Sequence, residues 1–218
     1  MHYLRNTTHR QIQNFKIPLE AERLSQILLT FYAHEVSIRN LKFIQNEELE
    51  FYIDGISKFL INPGPHFGIM LTGNCGTGKT TMLYAIRQLI YHLESIGLFK
   101  KVGLEDFNFK FPIVPAKVIV QELIKRPDLY DLKDILMIDD VGNEPTEIMN
   151  YGMIYTPMID LLEKRYQNRQ YTMVSTNLQP RAFREKYGSR VADRFNEMMD
   201  VMEFNSNSYR VNSKALEI

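Results

Sequence analysis

Gly73-Asn74-Cys75-Gly76-Thr77-Gly78-Lys79-Thr80 constrains this chain more than any other segment. Its pattern, G-x-x-x-x-G-K-[ST], needs a loop whose glycines let successive backbone N–H groups face one point. A helix must follow at once, with its N-terminal dipole aimed at the same place. The flanks meet that demand: the apolar run His66–Thr72 reads as a strand leading in, and the helical pattern Thr81–Ile96 leads out. Such a loop holds phosphate, so Gly73, Asn74, Cys75, Gly76, Thr77, Gly78, Lys79, Thr80 and Thr81 are expected to bind a nucleotide. The Lys79 ammonium suits the β- and γ-phosphates, and the Thr80 hydroxyl suits Mg²⁺. Cys75 reads as a small residue tolerated within the loop rather than as a redox site.

The rest of the chain fits a fold that carries such a loop. Phe111–Val114, Ile135–Ile138, Thr172–Ser175 and Val201–Phe204 are short apolar runs suited to buried strands. Helical patterns lie between several of them, clearest at Ile154–Tyr166 and Arg181–Met199. Strands alternating with helices imply a parallel sheet covered on both faces, so the fold class is α/β, a three-layer P-loop sandwich. Phe107, Phe109 and Phe111 alternate with polar residues and read as the apolar face of a strand, with a base-stacking platform as the alternative. Before the sandwich, Leu24, Ile27, Leu28, Phe31 and Tyr32 recur at helical spacing. A second helix runs from Leu49 through Ile53, Ile56 and Phe59 to Leu60, and Asn62-Pro63-Gly64-Pro65 stops it. The expected division is a helical N-terminal segment over 1–48 and the P-loop domain over 49–218.

Composition removes several alternatives. With 26 basic and 26 acidic residues, the chain is neither a strongly basic nucleic-acid binder nor an acidic-tailed protein. One cysteine excludes an intrachain disulfide and a cysteine-built zinc site. The polar stretch Met1–Lys16 lacks the apolar core of a secretory signal, and no run approaches the ~18 apolar residues of a membrane-spanning helix. The expectation is a soluble, cytoplasmic protein.

A phosphate loop needs an acid to hold its metal. Asp134-Ile135-Leu136-Met137-Ile138-Asp139-Asp140 supplies an apolar strand ending in two carboxylates. In open parallel sheets ligands bind beyond the strands' carboxyl ends, so these acids would face the nucleotide. Asp139 is expected on the Mg²⁺ shell and Asp140 on the attacking water.

At these residues the sequence resembles the AAA+ ATPases of the bacterial helicase-loader group, DnaC/DnaI-like and IstB-like. The resemblance runs over roughly Phe59 to Arg210 and rests on GNCGTGKTT and ILMIDDVG. It implies Mg²⁺-ATP as cofactor and further roles. Thr172–Asn177 looks like the strand ending in the sensor-1 residue, which makes Asn177 a contact of the attacking water or γ-phosphate. Gly188–Phe195 resembles the arginine-finger segment. Arg190 and Arg194 lie four apart, on one helix face. Arg194 is the first choice for the finger and Arg190 the second, and a solvated face is the plainer reading. Ser208-Tyr209-Arg210 resembles the sensor-2 element, with Arg210 reaching the γ-phosphate in cis.

The resemblance implies a nucleotide-dependent homo-oligomer that grips single-stranded DNA and helps load a replicative helicase in DNA replication. Residues 1–48 would be the handle for that partner, with Leu24, Ile27, Leu28 and Phe31 either contacting it or packing on the body. Lys117, Lys125 and Arg126 in Ala116–Leu132 either touch DNA or are simply solvated. With the chain stopping at Ile218, no extended helical lid of the general AAA+ kind is expected, which fits the loader group, and 1–48 has no cysteine pair for the zinc adaptor that some loaders carry. An IstB-type transposition helper would hold a transposase by the same handle. From other classes, a P-loop small-molecule kinase and a nucleotide switch that hardly hydrolyses remain open.

Overall fold

A computed structural model describes residues 15–102, 104, 109, 111–131 and 133–205. Two helices come first, α1 (Ala21–Ile38) and α2 (Glu47–Ile61). Then follow β1 (Gly68–Gly73), α3 (Lys79–Ser95), β2 (Ile113–Pro115), α4 (Ala116–Lys125) and β3 (Ile135–Val141). A hairpin, β4 (Ile148–Asn150) and β5 (Met153–Tyr155), precedes α5 (Pro157–Gln167) and β6 (Tyr171–Thr176). The described chain closes with α6 (Pro180–Tyr187), α7 (Ser189–Met198) and β7 (Met199–Phe204).

Five strands form one parallel sheet in the order β2-β3-β6-β1-β7. Because side chains alternate along a strand, each apolar run serves two cores. Ile135 and Met137 of β3, Tyr171 and Met173 of β6, and Ile69 and Leu71 of β1 join the core under α1, α2 and α3. Leu136, Ile138, Val174 and Met70 face the other core, under α4, α5, α6 and α7. Parallel pairing brings the carboxyl ends of all five strands to one edge, and β6 separates β1 from β3 there. The α/β sandwich expected from the alternation is therefore present.

Two expectations need correction. The single helix expected over Arg181–Met199 breaks at Gly188, whose φ of 85° and ψ of 160° end α6 before α7 begins. The helix expected from Ile154 starts at Pro157, which suits a first helical position, while Met153–Tyr155 pairs back as β5. Of the two readings open for Leu24, Ile27, Leu28 and Phe31, packing on the body holds: Leu24 and Leu28 are fully buried, and Ile27 and Phe31 pack on the same core. The apolar stripe of α1 thus packs against α3 and α2.

Phe109 and Phe111 are buried, with Phe109 stacked on Phe99 at 4.2 Å, although neither lies in a strand. Phe107 lies outside the described residues. The β4–β5 hairpin carries the most exposed apolar group, with Met149, Tyr151, Met153 and Ile154 in solvent. Among the described residues no helix is long and apolar enough to cross a membrane.

Candidate nucleotide and metal site

The loop between β1 and α3 takes the shape its glycines permit. Gly78, the N-cap of α3, has φ 95°, a left-handed conformation that costs other residues about 1 kcal/mol or more. At Gly73 a Cβ would lie 2.2 Å from the Phe204 carbonyl oxygen of β7, so any side chain there would force the strands apart. Lys79 is buried and folds back over the loop, its Nζ donating to the carbonyls of Gly73 (2.8 Å) and Asn74 (2.7 Å). The Thr77 hydroxyl donates to the same Asn74 carbonyl at 3.0 Å. The ammonium is therefore held at the mouth of the N–H cradle by the Gly73 and Asn74 carbonyls, with the Thr77 hydroxyl 3.4 Å away.

Two residues from distant segments meet beside it. Thr80 Oγ1 donates to Asp139 Oδ1 at 3.0 Å, joining the first turn of α3 to the end of β3. A hydroxyl and a carboxylate in contact form a donor set for a hard cation such as Mg²⁺, whose remaining ligands come from phosphate and water. Among the described residues no group of three or more His, Cys, Asp or Glu could hold a metal. The residues therefore fit Mg²⁺ arriving with a phosphorylated ligand better than a cation bound alone.

Asp140 follows on a bulge. Between the pairs Ile138–Val174 and Val141–Thr176, β3 advances one residue more than β6, and Asp140 adopts φ 57°. The extra residue turns its backbone out of the ladder, and the Asp140 N–H donates to Ser175 Oγ at 2.9 Å. Asn177 is exposed just past β6, between the loop and the acids. Cys75 through Thr81, Asp139, Asp140 and Asn177 all line one cleft of about 860 Å³. Gly73 and Asn74 contribute the carbonyls that hold Lys79.

The cleft's other wall comes from the connection between α1 and α2. Val36, Arg39, Leu41, Phe43 and Ile44 line it. Arg39 Nη1 donates to the Glu35 carbonyl at 2.8 Å and to Glu35 Oε2 at 3.0 Å, and its guanidinium lies 5.1 Å from the centre of the Tyr84 ring. Sequence reasoning missed this wall, because nothing local in residues 36–44 signals a contact with a loop over thirty residues later. It also missed Ser175 and Glu144. The buried Glu144 carboxylate accepts from the Gly142 N–H at 2.9 Å and from the Tyr187 hydroxyl. That hydroxyl's pKa is raised by its own burial, then by the bond to Glu144. The link ties the loop after the acids to the end of α6.

The arginines lie elsewhere. Arg190 and Arg194 project from α7 toward α5 and do not line the cleft. Arg194 Nη1 lies 2.9 Å from Glu163 Oε1, in contact but without hydrogen-bond alignment, and its guanidinium sits 5.2 Å from the centre of the Tyr166 ring. Arg190 Nε is 3.3 Å from the same oxygen. On the same helix, Asp193 pairs with Arg184 at 2.6 Å, and Glu197 accepts from the Tyr166 hydroxyl. Lys117, Lys125 and Arg126 are exposed along and just beyond α4. Arg210 lies outside the described residues.

No family model matches the sequence, and no curated protein matches it. Solved structures do. The DnaC helicase loader aligns over 75% of this chain and 94% of its own, at TM-score 0.51 and 16% identity. DnaI aligns over 78% and 88%, at TM-score 0.54 and 18% identity. A replication initiator DnaA bound to AMPPCP and single-stranded DNA aligns over 77% of this chain and 50% of its own, at TM-score 0.52 and 19% identity. At these identities the likeness establishes a shared fold, and that fold is the AAA+ α/β sandwich.

Proposed function

We propose that this chain is a Mg²⁺-dependent AAA+ ATPase that assembles on single-stranded DNA and helps load a replicative helicase. The observation that carries the ATPase part is the 3.0 Å bond between Thr80 and Asp139, formed across β6 beside the N–H cradle. It supports a phosphate loop and a metal carboxylate sharing one site. On binding nucleotide, Lys79 exchanges the Gly73 and Asn74 carbonyls for phosphate oxygens, and the loop amides and the α3 dipole oppose the phosphate charge. Bound Mg²⁺ supplies a Lewis acid that spreads the charge of the γ-phosphoryl group. Thr80 and Asp139 hold it, Asp140 accepts a proton from the attacking water, and the Asn177 amide orients that water. Leu41, Phe43 and Ile44 offer the base an apolar wall.

Arg194, with Arg190 as second choice, serves a neighbouring subunit as the finger, and Arg210 acts in cis. A finger in trans makes turnover depend on assembly. The loader role is supported by the likeness to DnaC and DnaI, and the DNA by the DnaA structure that holds it. Residues 1–48 remain the proposed handle for the helicase, now through the exposed polar face of α1 that includes Glu22, Arg23 and Gln26. The protein would work in the cytoplasm.

ATP turnover and ATP affinity, measured for the wild type and for Lys79→Ala, test the reading. Losing charge-assisted bonds of about 1.5–3 kcal/mol should weaken ATP binding on the order of a hundredfold. Unchanged affinity in Lys79→Ala would remove the phosphate-loop assignment.

A further inference from the structure

Ser175 occupies a point no motif marks. It is fully buried at the end of β6, and its one hydroxyl serves both acids of β3. Ser175 Oγ donates to Asp139 Oδ1 at 2.5 Å and accepts from the Asp140 N–H at 2.9 Å. It thus fixes the carboxylate of one acid and the backbone of the next. The backbone needs fixing, since a non-glycine residue at φ 57° is strained by about 1–2 kcal/mol. The neighbouring hydroxyl completes the arrangement: Thr176 Oγ1 donates to the Val141 carbonyl at 2.6 Å, on the far side of the bulge. Consecutive residues of β6 point to opposite faces, so the two hydroxyls grip the bulged end of β3 from both sides.

We propose that Ser175 is a positioning residue for the Mg²⁺ site and the attacking water: it aims Asp139 at Thr80 and holds the turn that presents Asp140. The proposal rests on the ATPase reading. Asp139 Oδ1 accepts from Thr80 and Ser175 together. A Thr80 hydroxyl engaged with a cation leaves Ser175 as the described side chain that keeps the carboxylate aimed. Partners that orient a metal's ligand commonly change metal affinity or activity by about 10–100-fold when removed.

The test compares Ser175→Ala and Ser175→Cys with wild type. Ser57→Ala is the control, a serine equally buried in α2 whose hydroxyl has no hydrogen-bond partner. Binding of a fluorescent ATP analogue is titrated without Mg²⁺ and against Mg²⁺, alongside kcat, KM and the thermal unfolding midpoint. In Ser175→Ala, metal-free affinity should stay within about threefold of wild type. The Mg²⁺ concentration for half-maximal enhancement should rise roughly tenfold, and kcat should fall about 10–100-fold with KM little moved. Ser175→Cys, of similar size but a weak donor, should fall between, and Ser57→Ala should match wild type.

A wild-type Mg²⁺ response and kcat in Ser175→Ala would overturn the proposal. So would a loss shared equally by metal-free affinity and thermal stability, which marks a purely structural serine. If Ser175→Ala does not fold, Ser175→Cys is judged by the same criteria, and failure of both to fold assigns Ser175 to stability and overturns the proposal. Failure of the ATPase reading would look different: the wild type itself would show neither turnover nor Mg²⁺-enhanced binding.

Discussion

The strand edge and the α5–α7 face hold their charged groups in different ways. At the edge, Lys79 is fixed by two backbone carbonyls, and Asp139 by hydroxyls from two separate elements. On the other face, Arg190 and Arg194 share a single oxygen of Glu163. The first arrangement depends on the fold itself and is in place within one chain. The second rests on contacts between side chains, with Arg190 exposed and Arg194 mostly buried. Arg165, also on α5, shows how this fold holds an arginine that it uses for structure. It is fully buried and donates to Thr172 Oγ1 (2.8 Å) and to the carbonyls of Lys133 (3.0 Å) and Tyr171 (2.8 Å). Burial pushes its guanidinium down to about 9, still well above neutral pH. Arg165 is thus tied to two carbonyls and a buried hydroxyl, whereas Arg190 and Arg194 meet a side-chain carboxylate.

If that difference is functional, it should break under substitution in a set order. Arg194→Ala should cause the largest loss, since a finger contributes about 10³–10⁵-fold to turnover. Mixed with Lys79→Ala, it should recover activity, because each subunit supplies what the other lacks. No recovery from two folded variants that co-assemble would place Arg194 outside the active site. Asp140→Asn should lower kcat by about 10²–10⁴-fold while ATP affinity stays near wild type, as expected for a lost general base. Hydrolysis retained in that variant would move the base elsewhere. The smallest effect belongs to Glu163→Gln. Releasing a partly buried pair worth on the order of 1 kcal/mol should shift the protein concentration for half-maximal turnover by only a few-fold, toward lower values. A shift in the opposite direction would mean that Glu163 helps deliver the arginines rather than hold them back.

How much of this was legible follows the same division. The phosphate loop and the acidic strand end could be read because their chemistry is local: glycine spacing, a following helix, carboxylates after an apolar run. The three central strands, β1, β3 and β6, could be read because burial on both faces leaves largely apolar runs. The hairpin was hidden because Met153-Ile154-Tyr155 merges with the apolar pattern of α5, although Tyr151-Gly152 at φ 50° and 78° makes a tight-turn pair. Gly188 broke an expected helix because a glycine within a periodic stretch is usually tolerated. The α1–α2 wall of the cleft and the Ser175 bridge were illegible because both arise only when distant segments meet. Leu24 and Leu28 stayed open between partner and core for the same reason: a stripe shows that a helix face is covered, not by what.

The central claim is that the site within one chain is incomplete and a neighbour finishes it. Specific ATPase activity measured across a range of protein concentrations, with and without single-stranded DNA and at two salt concentrations, tests this most directly. The account predicts activity per subunit that rises with concentration and responds to DNA, with the DNA response falling as salt rises. Flat specific activity, indifferent to DNA, would contradict it and leave a self-sufficient phosphate-loop site, as a small-molecule kinase would have.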